Sequence, residues 1–381
     1  MSKHLEKILE RAVYDEAFRN KLNSQIEYAI QQIDRGVSVP DSVVSEFARA
    51  RIRVRKKYSK WDKLFFDKYS AMYSTPENIG RYRASRINGP VLDVGSGAGM
   101  QCIMFGLEYG CKGIEVDRSR YLMSLLNSIA YRCKSEFVNS DFYKNSIRDA
   151  HIVFSDPLRT KASSISELKP SPLDIMEKIQ AEAFIFDLPP RMPASTINID
   201  GEREYISVDG VLSRFTVYTG SLKEAEYSAH IMPSGIHLNG EKQTVKFEEG
   251  VPGRLIYVPD PAVVAAGLLG AYSSLVMVSN DGRRLILSSD DTVENFPGTI
   301  YEIIHSCDGT SLAFSLRSLR PRNVYLRFSI DPVQYYSITN SVTSADGLTD
   351  LYVFRYKELF LITKKIFDIN STGNKAVNFF K

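Results

Sequence analysis

The chain has 381 residues, more than one typical single-core domain holds, so we expect two or three units. Its 44% hydrophobic and 24% charged content is typical of a soluble globular protein, and its net charge of +3 is too small to indicate a polyanionic partner by itself. The four cysteines form no CxxC pair, which argues against a zinc site or a disulfide framework. There is neither a secretion signal nor an apolar run of about 18 residues. We therefore predict a cytoplasmic protein with no metal and no membrane contact.

The first part of the chain, residues 1–84, is predicted to be helical. Apolar residues recur at helical spacing over residues 3–35, which predicts one amphipathic helix. The stretch "GVSVPDSV" ends it, and Asp41 or Ser42 is suited to cap a second helix that runs from Val43. "STPENIGRYRASRI" has the Ser/Thr-Pro-Glu start of a third helix.

A cationic cluster follows the start of the second predicted helix. It has no acid among its members, and Tyr58 and Trp61 lie beside it. This charge density with neighbouring aromatic rings is typical of a contact with a nucleic-acid backbone, although a solvated basic helix face gives the same pattern. The candidate RNA-binding residues are Arg49, Arg51, Arg53, Arg55, Lys56, Lys57 and Lys60.

From residue 90 the pattern changes to short β-rich runs that alternate with helical stretches. The runs are "PVLDVG", "CKGIEVD", "SEFVNSD", "AHIVFSD" and "AFIFDL". Strands joined by helical crossovers predict a parallel sheet with helices on both faces, an α/β fold. Asp209-Gly210 within "REYISVDGVLSRFTVYTG" predicts a hairpin turn. We assign residues 85–250 to this α/β domain and residues 251–381 to a C-terminal α+β domain.

The glycine-rich decapeptide "VLDVGSGAGM" is the most informative stretch of the chain. Gly95, Gly97 and Gly99 let the backbone approach a ligand closely after the first strand. The loop lacks the Gly-Lys-Ser/Thr ending of a phosphate-binding P-loop and the G-x-G-x-x-G spacing of a dinucleotide site. Asp93, two residues before the loop, would repel pyrophosphate and suits a ligand that carries an ammonium group.

This D-x-G-x-G-x-G segment resembles that of class I S-adenosylmethionine-dependent methyltransferases, which implies a Rossmann-like sheet and that cofactor. Glu115, at the end of the second strand, is placed to accept both ribose hydroxyls, with Asp117 as the second choice. Asp141 ends the third strand, where such enzymes bind the adenine amine. The cofactor-binding residues implied by the resemblance are Thr75, Asp93, Gly95, Ser96, Gly97, Gly99, Glu115 and Asp141.

The fourth strand ends at Asp156 and Pro157, the methyl-transfer position of this class. Enzymes that methylate exocyclic amines usually have Asn/Asp-Pro-Pro-aromatic here, whereas this chain continues with Leu158 and Arg159. We expect Asp156, Pro157 and Arg159 to be catalytic and the acceptor to be a guanine ring nitrogen, N7 before N1. N1 would need a base, for which Asp156 is the candidate within the motif.

A narrower resemblance extends over roughly residues 45 to 367. "SDPLRTKASSISELKPSPLDIM", "REYISVDGVLSRFTVYTG" and "PDPAVVAAGLLGAY" resemble methyltransferases that carry a C-terminal THUMP-like domain. "YSTPENIGRYRASRI" resembles their approach segment and that of trimethylguanosine synthases, where the Thr-Pro-Glu turn that contains Thr75 helps to close the cofactor site. The resemblance implies a THUMP-like domain in residues 251–381 and an RNA substrate, tRNA before others.

The sequence leaves two other classes of function open. One is a non-catalytic RNA-binding adaptor that retains the cofactor fold, and the other is a methyltransferase for an exocyclic amine, a protein or a small molecule. No pattern in the sequence fixes the oligomeric state.

Overall fold

A computed structural model describes residues 3–157, 164–280 and 284–371. The chain divides into two compact units: an N-terminal unit of Met1–Gly201 with Thr216–Glu224, and a C-terminal unit of Glu202–Phe215 with Ala225–Lys381. The helices that precede residue 85 thus belong to the same unit as the parallel sheet.

The helices of the N-terminal unit begin at capping residues that are visible in the sequence. The single helix expected over residues 3–35 is two helices, because the Asp15 carboxylate accepts a hydrogen bond from the Phe18 amide at 2.8 Å and caps the second. Asp41 caps the third helix as expected, accepting from the Val43 and Val44 amides. The helices are α1 (Lys3–Tyr14), α2 (Glu16–Asp34), α3 (Ser42–Val54), α4 (Lys68–Tyr73), α5 (Glu77–Ser85), α6 (Met100–Glu108), α7 (Arg118–Tyr131) and α8 (Pro172–Lys178).

The five predicted strands form a parallel sheet, as expected from their alternation with helices. They are β1 (Val91–Val94), β2 (Cys111–Glu115), β3 (Glu136–Asn139), β4 (Asp149–Ser155) and β5 (Gln180–Leu188). Their order is β3-β2-β1-β4-β5, with every neighbouring pair parallel. Each residue of the central strand β1 is buried, which explains why its sequence is a continuous apolar run broken only by Asp93.

One apolar core joins the N-terminal helices to the sheet. Leu9 of α1, Phe47 of α3, Phe105 of α6 and Phe154 of β4 all belong to the same buried cluster. The burial of Leu9 and Phe47 accounts for the periodic apolar face that the sequence shows before residue 55. Among the described helices, none is both long enough and apolar enough to cross a membrane.

The C-terminal unit begins with a hairpin. Its strands are β6 (Glu202–Val208) and β7 (Val211–Tyr218). The last three residues of β7 belong to the N-terminal unit. Asp209 and Gly210 have φ angles of 51° and 72°, the left-handed values that a tight hairpin turn requires, so the predicted turn is confirmed. Strand β8 (Tyr227–Met232) pairs with β6 in parallel, and β9 (Ile236–Gly240) pairs with β8 in antiparallel orientation.

A second, mixed sheet and three helices complete this unit within the described residues. The elements are β10 (Leu255–Pro259), α9 (Pro261–Ala266), β11 (Val276–Asn280), β12 (Leu285–Ser289), β13 (Gly298–Asp308), α10 (Leu312–Ser318), β14 (Asn323–Leu326), α11 (Pro332–Val342), β15 (Asp350–Tyr356) and β16 (Leu359–Asp368). The strand order is β11-β12-β10-β13-β16-β15-β14. The α+β character expected of this region is present, and its relation to a THUMP domain stays a prediction.

Candidate functional site

The carboxyl ends of β1, β2 and β4 meet at one edge of the parallel sheet. In register, Val94 of β1 lies beside Ile114 of β2 on one side and Ser155 of β4 on the other. Glu115 is the next residue along β2, and Asp156 directly follows β4. The topology therefore gathers the strand-end acids that the sequence singled out, which is where open α/β sheets bind ligands.

The glycine loop after β1 depends on glycine for two different reasons. Gly95, Gly97 and Gly99 have φ angles of 81°, 57° and 83°, values that other residues rarely adopt. A Cβ at Gly95 or Gly97 would have no atom within 4 Å, so these two residues border open space. At Gly99 a Cβ would lie 2.6 Å from Cβ of Ser124, so close packing also requires glycine there.

Glu115 ties the loop to the end of β2. Its carboxylate accepts hydrogen bonds from the Gly97 amide at 2.7 Å and from the Asp117 amide at 2.8 Å. Burial raises the pKa of Glu115, and these two amides act in the opposite direction. Each carboxylate oxygen has a second lone pair, so the ribose role implied by the resemblance remains available. Asp117 caps α7 through the Arg120 amide, which gives it a structural role.

Asp93 is a buried carboxyl group in an acidic environment. It is 1% exposed, and among the described residues its Oδ2 has no hydrogen-bond partner. Burial raises its pKa well above the usual range, and the negative charges of Asp156 and Glu115 raise it further. The charges of Asp156 and Glu115 thus both oppose ionisation of Asp93, an effect that a cationic ligand would offset.

Arg83 is a buried cation whose charge acts on Asp93 and Asp156. It is fully buried, pairs with Asp187 of β5 at 2.9 Å and donates to Thr216 Oγ1 at 3.0 Å. Burial lowers the pKa of Arg83, but the charge of Asp187 and, to a smaller extent, that of Asp156 raise it overall. The sequence interpretation missed this residue. The pattern that could have identified it is helical spacing: Arg83 lies four residues after Ile79, on the same buried face of α5.

The Thr-Pro-Glu turn is anchored where α5 begins. Thr75 is buried, and its carbonyl accepts a hydrogen bond from the Tyr58 hydroxyl at 2.6 Å. The Glu77 carboxylate accepts from the Ser59 amide and from the Tyr131 hydroxyl, both at 2.7 Å. Burial opposes ionisation of Glu77, but hydrogen bonds from Ser59, Tyr131 and Arg81 lower its pKa overall. The turn is therefore held in one position relative to α7.

The remaining predicted site residues lie after β3 and β4. Asp141 is half-buried and caps a short 3-10 turn through the Tyr143 amide at 3.0 Å. Asp156 is half-buried, and Pro157 beside it is buried. Arg159 lies outside the described residues.

Three of the seven cations in the predicted RNA-binding cluster are engaged within the protein. Arg51 is 1% exposed and donates to Leu64 O and to Asn23 Oδ1. Lys57 donates to carbonyls at the end of α4, including Met72 O at 2.8 Å. Lys60 donates to Ala130 O at 3.0 Å. These three side chains stabilise the N-terminal unit, so the seven cations do not form one continuous exposed face.

The other four cations are exposed. Arg55 pairs with Asp34 at 3.0 Å and lies over the Trp61 ring. Arg49 and Arg53 line a groove of about 640 Å³ between α3 and α4, together with Lys68 and Glu46. Lys56 is exposed on the same segment. The groove is thus a concave surface bordered by three cationic side chains and one acid.

No group of three or more His, Cys, Asp or Glu side chains with a geometry suited to a metal ion occurs in the described parts of the chain.

The fold is similar to that of solved methyltransferase structures. A Porphyromonas gingivalis W83 protein that is proposed to be a methyltransferase superposes with a TM-score of 0.68 at 15% identity, covering 91% of this chain and 99% of its own. The chain therefore has a Rossmann-like α/β fold similar to that of this protein.

Two further solved structures are similar over smaller parts of the chain. The T. thermophilus 16S rRNA N2 G1207 methyltransferase has a TM-score of 0.30 at 14% identity, over 41% of this chain and 43% of its own. The Pyrococcus abyssi tRNA (uracil-54, C5)-methyltransferase has a TM-score of 0.26 at 20% identity, over 33% of this chain and 30% of its own. No protein-family model and no curated protein matches the sequence.

Proposed function

We propose that the protein is an S-adenosylmethionine-dependent methyltransferase. The observation that carries this proposal is the convergence of Asp93, Glu115 and Asp156 at one edge of the parallel sheet, with an unpartnered Asp93 oxygen among them. S-adenosylmethionine is a cation at its sulfonium and at its ammonium group. Binding a cation beside buried carboxyl groups lowers their mutual repulsion and favours their ionised forms.

The residues at this edge fit the cofactor. Gly95 and Gly97 leave open space over the loop, where a Cβ would have no neighbour within 4 Å. Asp93, next to the glycine loop, would bind the ammonium group of the cofactor. Glu115 would accept hydrogen bonds from the ribose hydroxyls, and Asp141 would accept one from the adenine amine. The bound cofactor supplies an electrophilic methyl group for an in-line displacement, so the task of the protein is to orient the acceptor.

Asp156 is the residue proposed to orient that acceptor. A half-buried carboxylate at the end of β4 can accept a hydrogen bond from an N–H or O–H group of the substrate. Pro157 restricts the backbone beside it, since proline fixes φ. For a guanine N7 acceptor no proton has to be removed, whereas N1 would require Asp156 to act as a base.

We further propose RNA as the substrate, tRNA before others, with a guanine ring nitrogen as the acceptor. The support is the groove between α3 and α4, where Arg49, Arg53 and Lys68 present three cations. Phosphate groups bind such cations by charge.

The decisive experiment is to incubate the purified protein with labelled S-adenosylmethionine and total RNA, and to identify methylated nucleosides by mass spectrometry. Label in a guanosine of tRNA is the expected result. Absence of label in every RNA fraction, with label transferred to protein or small molecules, would contradict the RNA proposal. Absence of any transfer and of cofactor binding would contradict methyltransferase activity itself.

Replacement of Glu115 by Gln should weaken cofactor binding by about tenfold or more. A ribose hydroxyl then loses a charge-assisted hydrogen bond to the carboxylate, worth about 1.5–3 kcal/mol. The Gln side chain also keeps only one acceptor oxygen for the Gly97 and Asp117 amides, which loosens the loop. Calorimetric titration with S-adenosylhomocysteine measures the change. Asp117→Asn, which keeps the α7 cap, is the matched control. A larger loss for Asp117→Asn would make Asp117 the ribose partner.

A triple variant that replaces the groove cations, Arg49→Gln, Arg53→Gln and Lys68→Gln, should bind RNA more weakly, and its binding should be less sensitive to salt. Each phosphate contact that is lost reduces the slope of log K against log [salt] by about 0.7 for single strands. The control is Lys3→Gln, Lys7→Gln and Lys21→Gln, which removes the same charge from exposed positions on α1 and α2. Equal losses in the two triple variants would indicate attraction by net charge alone and would contradict binding in the groove.

A further inference from the structure

The C-terminal unit contains its own polar cavity, with a volume of about 360 Å³. It lies where the Asp209-Gly210 turn, the start of α9 and strands β13 and β16 come together. The volume is within the range of small-molecule sites. The residues that carry the argument are Asp260, Tyr301, Arg327, Lys365 and Asn370, all of which line the cavity.

The charged side chains that line the cavity are three cations and three acids: Arg284, Arg327, Lys365, Asp209, Asp260 and Asp368. Arg327 and Lys365 are the two cations that carry the argument. Arg327 lies over the Tyr352 ring at 5.3 Å, its Nε is buried without a hydrogen-bond partner, and it pairs with no carboxylate of the described residues. Lys365 pairs with Asp368 at 2.7 Å and also lies near the Tyr352 ring. Burial raises the pKa of Tyr301, and the charges of Arg327 and Lys365 oppose that shift, so both cations act on the same cavity wall.

The cavity also has an acceptor oxygen without a donor. Asn370 Oδ1 is buried with no hydrogen-bond partner among the described residues. Asp260 Oδ1 accepts the Ala262 amide at 2.9 Å, and the Ser207 side chain is a hydrogen-bond donor near the same carboxyl group. One unsatisfied donor, Arg327 Nε, and one unsatisfied acceptor, Asn370 Oδ1, thus belong to residues that line a single cavity. Buried polar atoms are rarely left unpaired in proteins, so their grouping points to a ligand that satisfies both.

We propose that this cavity binds a ribonucleoside 5′-monophosphate group. The phosphate is the acceptor for Arg327 and Lys365, since a guanidinium without its own carboxylate prefers an oxyanion. The ribose hydroxyls are the donors for Asp260 and Asn370, and Phe354 and Tyr301 supply apolar surface. The group belongs either to a free nucleotide or to the 5′ end of an RNA chain. The proposal does not depend on methyl transfer.

The test is calorimetric titration of the full chain with uridine 5′-monophosphate and with uridine, which share no adenine with the cofactor. We expect the monophosphate to bind at least tenfold more tightly than uridine, and Arg327→Gln to remove that preference. Arg355→Gln, an exposed arginine of β15 outside the cavity, is the matched control and should leave affinity unchanged. Lys365→Gln is the second variant if Arg327→Gln lowers the melting temperature. Equal binding of the two compounds, or full affinity in both variants, overturns the proposal.

Two further measurements distinguish a free nucleotide from an RNA end, and this cavity from the cofactor site. Preference for a 5′-phosphorylated over a 5′-hydroxyl oligoribonucleotide assigns the cavity to an RNA end, whereas binding of the monophosphate without either oligonucleotide assigns it to a free nucleotide. Saturating S-adenosylhomocysteine should not displace the monophosphate. Displacement would place the nucleotide in the cofactor site and would overturn the proposal, while loss of methyl transfer alone would leave it intact.

Discussion

Replacement of Asp156 by Ala is expected to lower the rate of methyl transfer by about 10²-fold or more, because the acceptor loses the group that orients it. Asp156 directly follows β4, is half-buried, and its charge acts on both Asp93 and Arg83. The rate is measured in single turnovers with labelled cofactor, and cofactor affinity is measured separately with S-adenosylhomocysteine. Asp149→Ala, at the exposed opposite end of β4, is the control and should leave the rate unchanged.

The Asp156→Asn variant distinguishes between the two candidate ring nitrogens. Asparagine keeps a hydrogen-bond acceptor of similar size but cannot take a proton. An N7 acceptor needs only orientation, so we expect this variant to keep its rate within about tenfold of the native protein. An N1 acceptor needs a base, and losing one costs about 10²–10⁴-fold. A full rate in Asp156→Ala would contradict any role of this residue in the reaction.

Replacement of Arg83 by Met is expected to destabilise the protein by about 3–5 kcal/mol, the usual cost of removing one partner of a buried ion pair. Arg83 and Asp187 are both fully buried and lie 2.9 Å apart, and the variant removes the arginine from this pair. The free energy of unfolding in urea measures the change. Arg81→Met is the matched control two residues earlier on α5, where a half-exposed arginine pairs with Glu77 at 2.7 Å. Its cost should stay below about 1 kcal/mol.

The loss in Arg83→Met should also depend on pH. Burial without a cation raises the pKa of a carboxyl group above its unfolded value, so the folded variant binds a proton that the unfolded chain releases. Stability therefore falls as pH rises through that raised pKa, and the destabilisation should be smaller at about pH 5 than at about pH 8. A loss of the same size at both pH values would show that Asp187 takes up no proton in this range and would contradict a raised pKa in the variant.

The cofactor loop could be read from the sequence because its determinants are local. The left-handed φ angles of Gly95, Gly97 and Gly99 are produced by residues within five positions of one another. The hairpin turn at Asp209-Gly210 and the cap at Asp41 were equally local, since each is formed by a side chain or backbone group within three positions. The order of β strands and helices then left a parallel sheet as the expected arrangement.

The cationic cluster shows where local reasoning stops. In sequence, Arg49, Arg51 and Lys60 look alike, since each is a cation in a helix-forming stretch. In the folded protein Arg49 is exposed beside a groove, Arg51 binds a carbonyl 13 positions away, and Lys60 binds one 70 positions away. The charge pattern predicts that these residues are either exposed or paired. It does not predict which acceptor, distant in sequence, lies near each of them in the folded protein.

By itself, the sequence determined the glycine loop, the strand-end acids and the alternation that builds the parallel sheet, because those features depend on backbone conformation and on periodicity. Only the tertiary structure decided that buried Arg83 pairs with Asp187, and that Asp260, Arg327 and Asn370 border one cavity. The physical reason is that a buried charge is stable only beside a partner, and the partner comes from wherever the fold brings the chain back.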